Sequence, residues 1–177
     1  MFREGYWVSD TVKKLTKAMP EGCRFVLMST DAIAYPDGSD PKRTRFERGI
    51  LRFMRWVLQP VADNEMAAGH LFDEAKSKNC YEWVAVRPGD LFDIEDEETL
   101  KATSKKDYEI FEHTFGSLFG DNSVARSHVA HCLADLSTMD KRVFQKTYNH
   151  KLPVIYQYKE TTVTEIDNEE SLISTHE

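Results

Sequence analysis

The sequence predicts an α/β domain, a mostly parallel sheet flanked by helices. Three observations carry that prediction. Trp83-Val84-Ala85-Val86 is an unbroken apolar run that stops at Arg87-Pro88-Gly89, as a strand covered on both faces would. Cys23-Arg24-Phe25-Val26-Leu27-Met28-Ser29 is a second strand-like run. Between them lie about fifty residues with helical periodicity, too long for a hairpin and suited to a crossover between parallel neighbours. Residues 23–29 and 83–87 are therefore expected side by side and parallel. Ligands of open α/β sheets bind outside the carboxyl ends of the strands, which draws attention to Ser29, Thr30, Arg87, Pro88 and Gly89.

Composition sets the outer bounds. The 177 residues fit one domain with a real core, and 41% hydrophobic with 30% charged content is ordinary for a globular protein. A formal charge of -7 argues against a general nucleic-acid binder. Cys23, Cys80 and Cys132 are an odd number with no close pair, so neither a disulfide framework nor a thiolate zinc site is indicated. No run of 18 apolar residues and no apolar signal core occur, so no membrane partner is expected. A reducing, cytoplasmic setting follows as the default expectation.

In chain order, Val12, Leu15 and Met19 give residues 10–19 the apolar side of a short helix closed by Pro20 and Gly22. After the strand at 23–29 comes the turn-rich stretch Pro36-Asp37-Gly38-Ser39-Asp40-Pro41. Thr44–Leu58 reads as a helix whose apolar side is Phe46, Ile50, Phe53, Met54 and Val57. Arg45, Arg48, Arg52 and Arg55 stack along the same helix as a basic stripe. A solvated face paired with the acidic surface is the simplest use of that stripe. Docking of an acidic partner and contact with phosphate or a membrane are the alternatives.

Pro60 separates this helix from another over residues 63–76, with Asp63 as the expected cap and Met66, Leu71, Phe72 and Ala75 as packing residues. Asp93–Glu98 is an acidic loop without calcium-ligand spacing. Tyr108–Glu112 suits a short strand or a helix. Residues 127–136 suggest a helix capped by Ser127, with Val129, Cys132, Leu133 and Leu136 facing inward. Leu152–Tyr158 reads as a late strand, and residues 159–177 as an acidic, disordered tail.

Several chemistries find no support. There is no Gly-x-Gly-x-x-Gly and no Walker-type lysine loop. His128 and His131 are three apart, but no carboxylate or thiolate supplies metal-ligand spacing around them. Ser29 lacks a Gly-x-Ser-x-Gly elbow. Ser29 and Thr30 could still donate hydrogen bonds to a cofactor or carbonyl, although turn capping is the simpler role for Thr30. Arg87 suits an ion pair with nearby Asp90 or Asp93, or a phosphate contact.

Five passages occur in a familiar order: a strand ending in Ser29-Thr30, Pro60-Val61-Ala62-Asp63-Asn64-Glu65-Met66-Ala67-Ala68, Trp83–Gly89, Ser123–His131 and Leu152–Tyr156. Over residues 10–158 the chain resembles the C-terminal half of an atypical short-chain dehydrogenase/reductase, of the NAD(P)-binding, epimerase-like branch. The resemblance implies a partial Rossmann-like fold, residues 1–158 forming a single incomplete domain that lacks the N-terminal glycine-rich βαβ part. It also implies NAD or NADP as cofactor, with Ser29 and Thr30 beside the nicotinamide and Arg87, Pro88 and Gly89 along the cleft. No Tyr-x-x-x-Lys pair stands where the family has one, so no catalytic residue is assigned. Without the glycine turn, NAD(P) binding by this chain alone is expected to be weak or absent. Self-association or a completing chain is expected, and a non-catalytic interaction or regulatory protein on the same scaffold is the alternative.

Overall fold

The computed structural model describes residues 6–41, 43–77, 81–94, 101, 107–115 and 122–157. The expected tail at 159–177, most of the acidic loop and Cys80 lie outside the described residues.

The chain is α/β, with a mostly parallel sheet and helices against it. The first element among the described residues is α1 (Trp7–Ala18), a helix rather than a glycine-rich βαβ unit. β1 (Arg24–Met28) follows, then α2 (Arg45–Val57), α3 (Gln59–Ser77) and β2 (Glu82–Pro88). Short strands β3 (Leu91–Phe92), β4 (Tyr108–Phe111) and β5 (Val124–Ala125) lead to α4 (Arg126–Thr138) and α5 (Lys141–Thr147). The last element among the described residues is β6 (Val154–Gln157). The main sheet runs β1-β2-β6-β4, and β3 pairs with β5. β1 and β2 are parallel, with Val26 opposite Val84, as the long crossover predicts. β6 is parallel to β2, whereas β4 is antiparallel to β6. Tyr108–Phe111 is thus a strand, with no turn of helix.

β2 is the central strand and is buried at every position. Its side chains alternate between two cores. Trp83 and Ala85 pack with Ile33, Ala67, Ala68 and Leu71 on the face covered by α1 and α3. Val84 and Val86 pack with Val129, Cys132, Leu136 and Phe144 on the face covered by α4 and α5. Each fully buried aliphatic side chain of this kind contributes about 1.5–3 kcal/mol, so β2 anchors both layers.

The helices depart from the sequence pattern in three instructive ways. α1 buries Ser9, Val12 and Thr16, while Leu15 stays 45% exposed. Small side chains let α1 lie close on α3, where Thr16 Oγ1 sits 3.3 Å from His70 Nε2. Asp63 does not cap its own helix, because α3 already starts at Gln59 with Pro60 in its first turn. Its carboxylate instead accepts the Val8 and Ser9 amides at 2.7 and 2.8 Å, capping α1 from the side. Burial alone would raise the Asp63 pKa, but these two amide bonds outweigh it and hold the carboxyl below its usual range. Ser127 likewise is no cap, since Ala125 occupies that position at α4.

α2 is the third case. A reciprocal Thr44–Glu47 capping box starts it. The residues it buries are Glu47 and Leu51, not the expected apolar side. Phe46, Phe53 and Val57 of that side are exposed, and so is neighbouring Trp56.

Candidate functional site

The carboxyl ends of β1, β2 and β6 meet at one edge of the sheet. The Ser29 amide donates to Val86 O at 2.7 Å and the Asp31 amide to Pro88 O at 3.0 Å, so the β1 exit follows β2 past its end. Ser29 is buried, and its Oγ has no hydrogen-bond partner among the described residues. Thr30 Oγ1 accepts the Ala32 amide at 3.2 Å, the turn-capping role expected of it.

Asp31 is the chemically distinctive group here. Burial is the main cause that raises its carboxyl pKa, and the Asp90 charge adds to it. The Arg43 and Arg87 charges and the Tyr156 hydroxyl oppose that shift, leaving the pKa raised from 3.8 to about 6. Tyr156, near the end of β6, donates its hydroxyl to Asp31 Oδ2 at 3.4 Å. Burial, followed by the neighbouring Asp31 charge, raises the tyrosine pKa as well. A carboxyl that titrates near neutrality beside a phenol can hold or release a proton at Oδ2. Asp31 follows Ser29-Thr30 directly, and only its place at a strand end marked it in the sequence.

Arg87 is completely enclosed. Its Nε donates to Leu152 O at 2.6 Å, and its Nη1 to Ile33 O at 3.0 Å. Both terminal nitrogens also reach Asp40, at 2.6 and 3.1 Å. The ion pair therefore goes to Asp40, not to Asp90 or Asp93, which are nearer in sequence. Asp93 pairs with Arg126 instead. Asp40 also accepts the Tyr35 amide at 2.8 Å, and the Tyr35 ring lies 4.9 Å from the Arg87 guanidinium carbon. Burial favours neutral Asp40, but the hydrogen bonds and charge of Arg87 prevail and hold its pKa below the usual carboxylate range. This pair ties the 31–41 loop to β2 and to the entry of β6.

Pro88 is buried, and Gly89 is fixed by close approach. A Cβ on Gly89 would lie 1.7 Å from the Asn122 carbonyl oxygen, so no larger residue fits unless the backbone shifts. The Val124 amide donates to Asp90 O at 2.9 Å, continuing the same junction into the β3–β5 pair. Of the five residues singled out by sequence, Ser29 alone keeps an unpartnered polar side-chain atom. Thr30, Arg87, Pro88 and Gly89 shape the edge from within. Asp31 and Tyr156 complete it, from strands 125 residues apart at the contact.

Among the described residues no group of three or more His, Cys, Asp or Glu side chains could hold a metal ion. None of the described helices is long and apolar enough to cross a membrane.

No protein-family model matches the chain. No curated protein matches it either. Among solved structures it is similar to a short-chain dehydrogenase/reductase (wide type) from Veillonella parvula DSM 2008, crystallised in complex with NADP. The identity is 17% and the TM-score 0.49, covering 88% of this chain and 58% of that one. The chain thus spans little more than half the length of that protein. At such distance the likeness lends no weight to a cofactor or a reaction.

Proposed function

We propose that the chain carries the nicotinamide-side edge of an NAD(P)-binding, short-chain dehydrogenase/reductase-like scaffold. In this proposal Ser29 and Asp31 face the ligand, while Thr30, Arg87, Pro88 and Gly89 form the wall behind them. The observation that carries it is the junction of an unpartnered Ser29 hydroxyl, the Asp31 carboxyl and the Tyr156 hydroxyl outside the strand ends. A buried hydroxyl without a partner is costly, and a carboxamide or carbonyl group would relieve that cost. The pyrophosphate of a dinucleotide fits less well, because the sequence offers no glycine-rich turn to cradle it. Binding by this chain alone is accordingly weak.

Saturation-transfer NMR with NADPH and NADH tests this directly. The nicotinamide protons should receive more saturation than the adenine protons, and Ser29→Ala should reduce the nicotinamide signal. Saturable micromolar binding with equal transfer to both rings would overturn the proposal and indicate an intact dinucleotide pocket. No transfer to either ring would favour the second reading, a non-catalytic interaction protein on the same scaffold. One observation supports that reading: α2 turns Phe46, Phe53 and Trp56 outward, at 72%, 60% and 77% exposure. We infer self-association through this face under either reading.

A further inference from the structure

The polar flank of α2 borders an open groove of about 750 Å³ against the 32–41 loop, a volume within the range of small-molecule sites. Arg43, Arg45, Arg48, Arg52 and Arg55 all line it, around an apolar floor that includes Leu51. The chain carries a formal charge of -7, so carboxylates to neutralise these cations are plentiful elsewhere. They are not supplied here. Asp40, the acidic residue of the lining, is engaged bidentately by Arg87. Glu47 is buried in the capping box, and Glu65 reaches Arg55 alone, at 3.0 Å. Arg45, Arg48 and Arg52 have no ion pair or hydrogen bond among the described residues.

Arg43 is the most constrained of the five. Its Nη2 donates to the Asp31 carbonyl oxygen at 2.6 Å, which fixes the guanidinium, while its buried Nη1 has no acceptor among the described residues. Arg55 is paired with Glu65, but Arg43, Arg45, Arg48 and Arg52 still place like charges side by side that repel one another, and a buried donor left open adds to the cost. An anion would remove both penalties. From Arg45 to Arg55 the helix rises about 15 Å, more than one tetrahedral oxyanion can span. Guanidiniums match phosphoryl oxygens bidentately, and the three oxygens of a phosphoryl group let one group engage more than one guanidinium, which the two oxygens of a carboxylate do less well.

We propose that this groove binds a ligand carrying two or more phosphoryl groups, either a soluble phosphorylated metabolite or a phosphorylated lipid headgroup. The groove adjoins the Ser29–Asp31 edge through the Arg43 contact with the Asp31 carbonyl oxygen, but the proposal does not depend on the function proposed above.

Calorimetric titration of the full chain with sodium tripolyphosphate, at fixed ionic strength, tests it. Saturable binding is expected, at least about tenfold tighter than inorganic phosphate under the same conditions. Arg43→Lys, which keeps the charge but loses the planar fork, should weaken binding by about tenfold. Arg48→Glu combined with Arg52→Glu should abolish it, while Arg142→Glu on α5 should leave it unchanged. Thermal melts establish that each variant is folded. Phosphatidylcholine vesicles with and without a phosphoinositide form the second arm. Sedimentation with phosphoinositide vesicles, competed by tripolyphosphate and lost in the Arg48/Arg52 variant, would identify a headgroup as the source. Binding confined to the soluble probe would identify a metabolite. No binding in either arm, equal loss with Arg142→Glu, or an acidic peptide of equal charge binding as tightly would overturn the proposal.

Discussion

Arg87 and the arginines of α2 are the same residue in opposite circumstances, separated by little more than the 31–41 loop. Arg87 has no exposed surface and directs its donors to two backbone carbonyls and one carboxylate. Arg45, Arg48 and Arg52 are exposed on the polar flank of a helix and meet no carboxylate among the described residues. The first arrangement is an internal clamp, in which the charge is neutralised where it lies. The second leaves charge available to something outside the chain. Residue type alone does not separate the two; burial and the position of the nearest free carboxylate do.

The sharpest way to break this contrast is to remove one arginine of each kind. Arg87→Ala should destabilise the fold by about 3–5 kcal/mol, because it strands Asp40 uncompensated and frees the Leu152 and Ile33 carbonyls. Arg48→Ala should change stability by no more than about 0.5 kcal/mol, as expected for an exposed side chain without a partner. Urea titrations of both variants give the difference directly. Similar midpoints for the two would mean that the Arg87–Asp40 clamp contributes little, and would undo the distinction. Arg87→Lys should fall near Arg87→Ala, since an ammonium cannot reproduce the forked contact with both Asp40 oxygens.

The clamp also explains what could and could not be read from the sequence. β1, β2 and their parallel pairing were legible because a buried strand needs an unbroken apolar run and a defined stop, both local properties. The partner of Arg87 was not legible. Asp40 lies 47 residues away, while Asp90 and Asp93 sit beside Arg87 in the chain, and Asp93 pairs with Arg126. Asp63 misled in the same way, because its cap is directed to a different helix 55 residues earlier. The α2 pattern was legible as amphipathic, but periodicity does not say which face meets the core. Glu47 and Leu51 are the residues it buries, and the aromatic side is left outside. The Asp31–Tyr156 contact joins strands distant in sequence and had no local signal beyond its strand-end position.

A smaller effect, and one that depends on pH, is expected at Asp31. Its pKa is raised to about 6 in the folded chain from an ordinary 3.8, so the folded state holds the proton more tightly than the unfolded state. Stability from this group is therefore fully present below about pH 4 and is lost as pH rises through 6. Asp31→Asn keeps a neutral group and an acceptor for Tyr156. It should match the parent protein near pH 4 and exceed it by on the order of 2–3 kcal/mol at pH 8. Denaturant titrations at the two pH values decide the matter. An equal effect of the substitution at both would show that the carboxyl is not held protonated by its surroundings.

The smallest effect on stability, and the one most visible in solution mass, is expected on the aromatic side of α2. Phe53→Asp removes a side chain that is 60% exposed, so folding should change by no more than about 0.5 kcal/mol. Association should respond far more. Burying an exposed Phe against a second copy gains about 1.5–3 kcal/mol at most, and the Phe53 and Trp56 rings, 6.1 Å apart, lie close enough to be buried together. One helix of 13 residues nevertheless falls short of a standard interface of about 1,600 Å², so the contact should be reversible rather than permanent. A dissociation constant on the order of 10–100 μM is consistent with that size. Light scattering should then show mass rising with concentration through this range for the parent chain, and a constant monomer mass for Phe53→Asp. Because Phe53 does not line the arginine groove, tripolyphosphate binding by Phe53→Asp should persist. A parent chain that stays monomeric to millimolar concentration would remove self-association through this face. The outward aromatics would then have to serve a different partner.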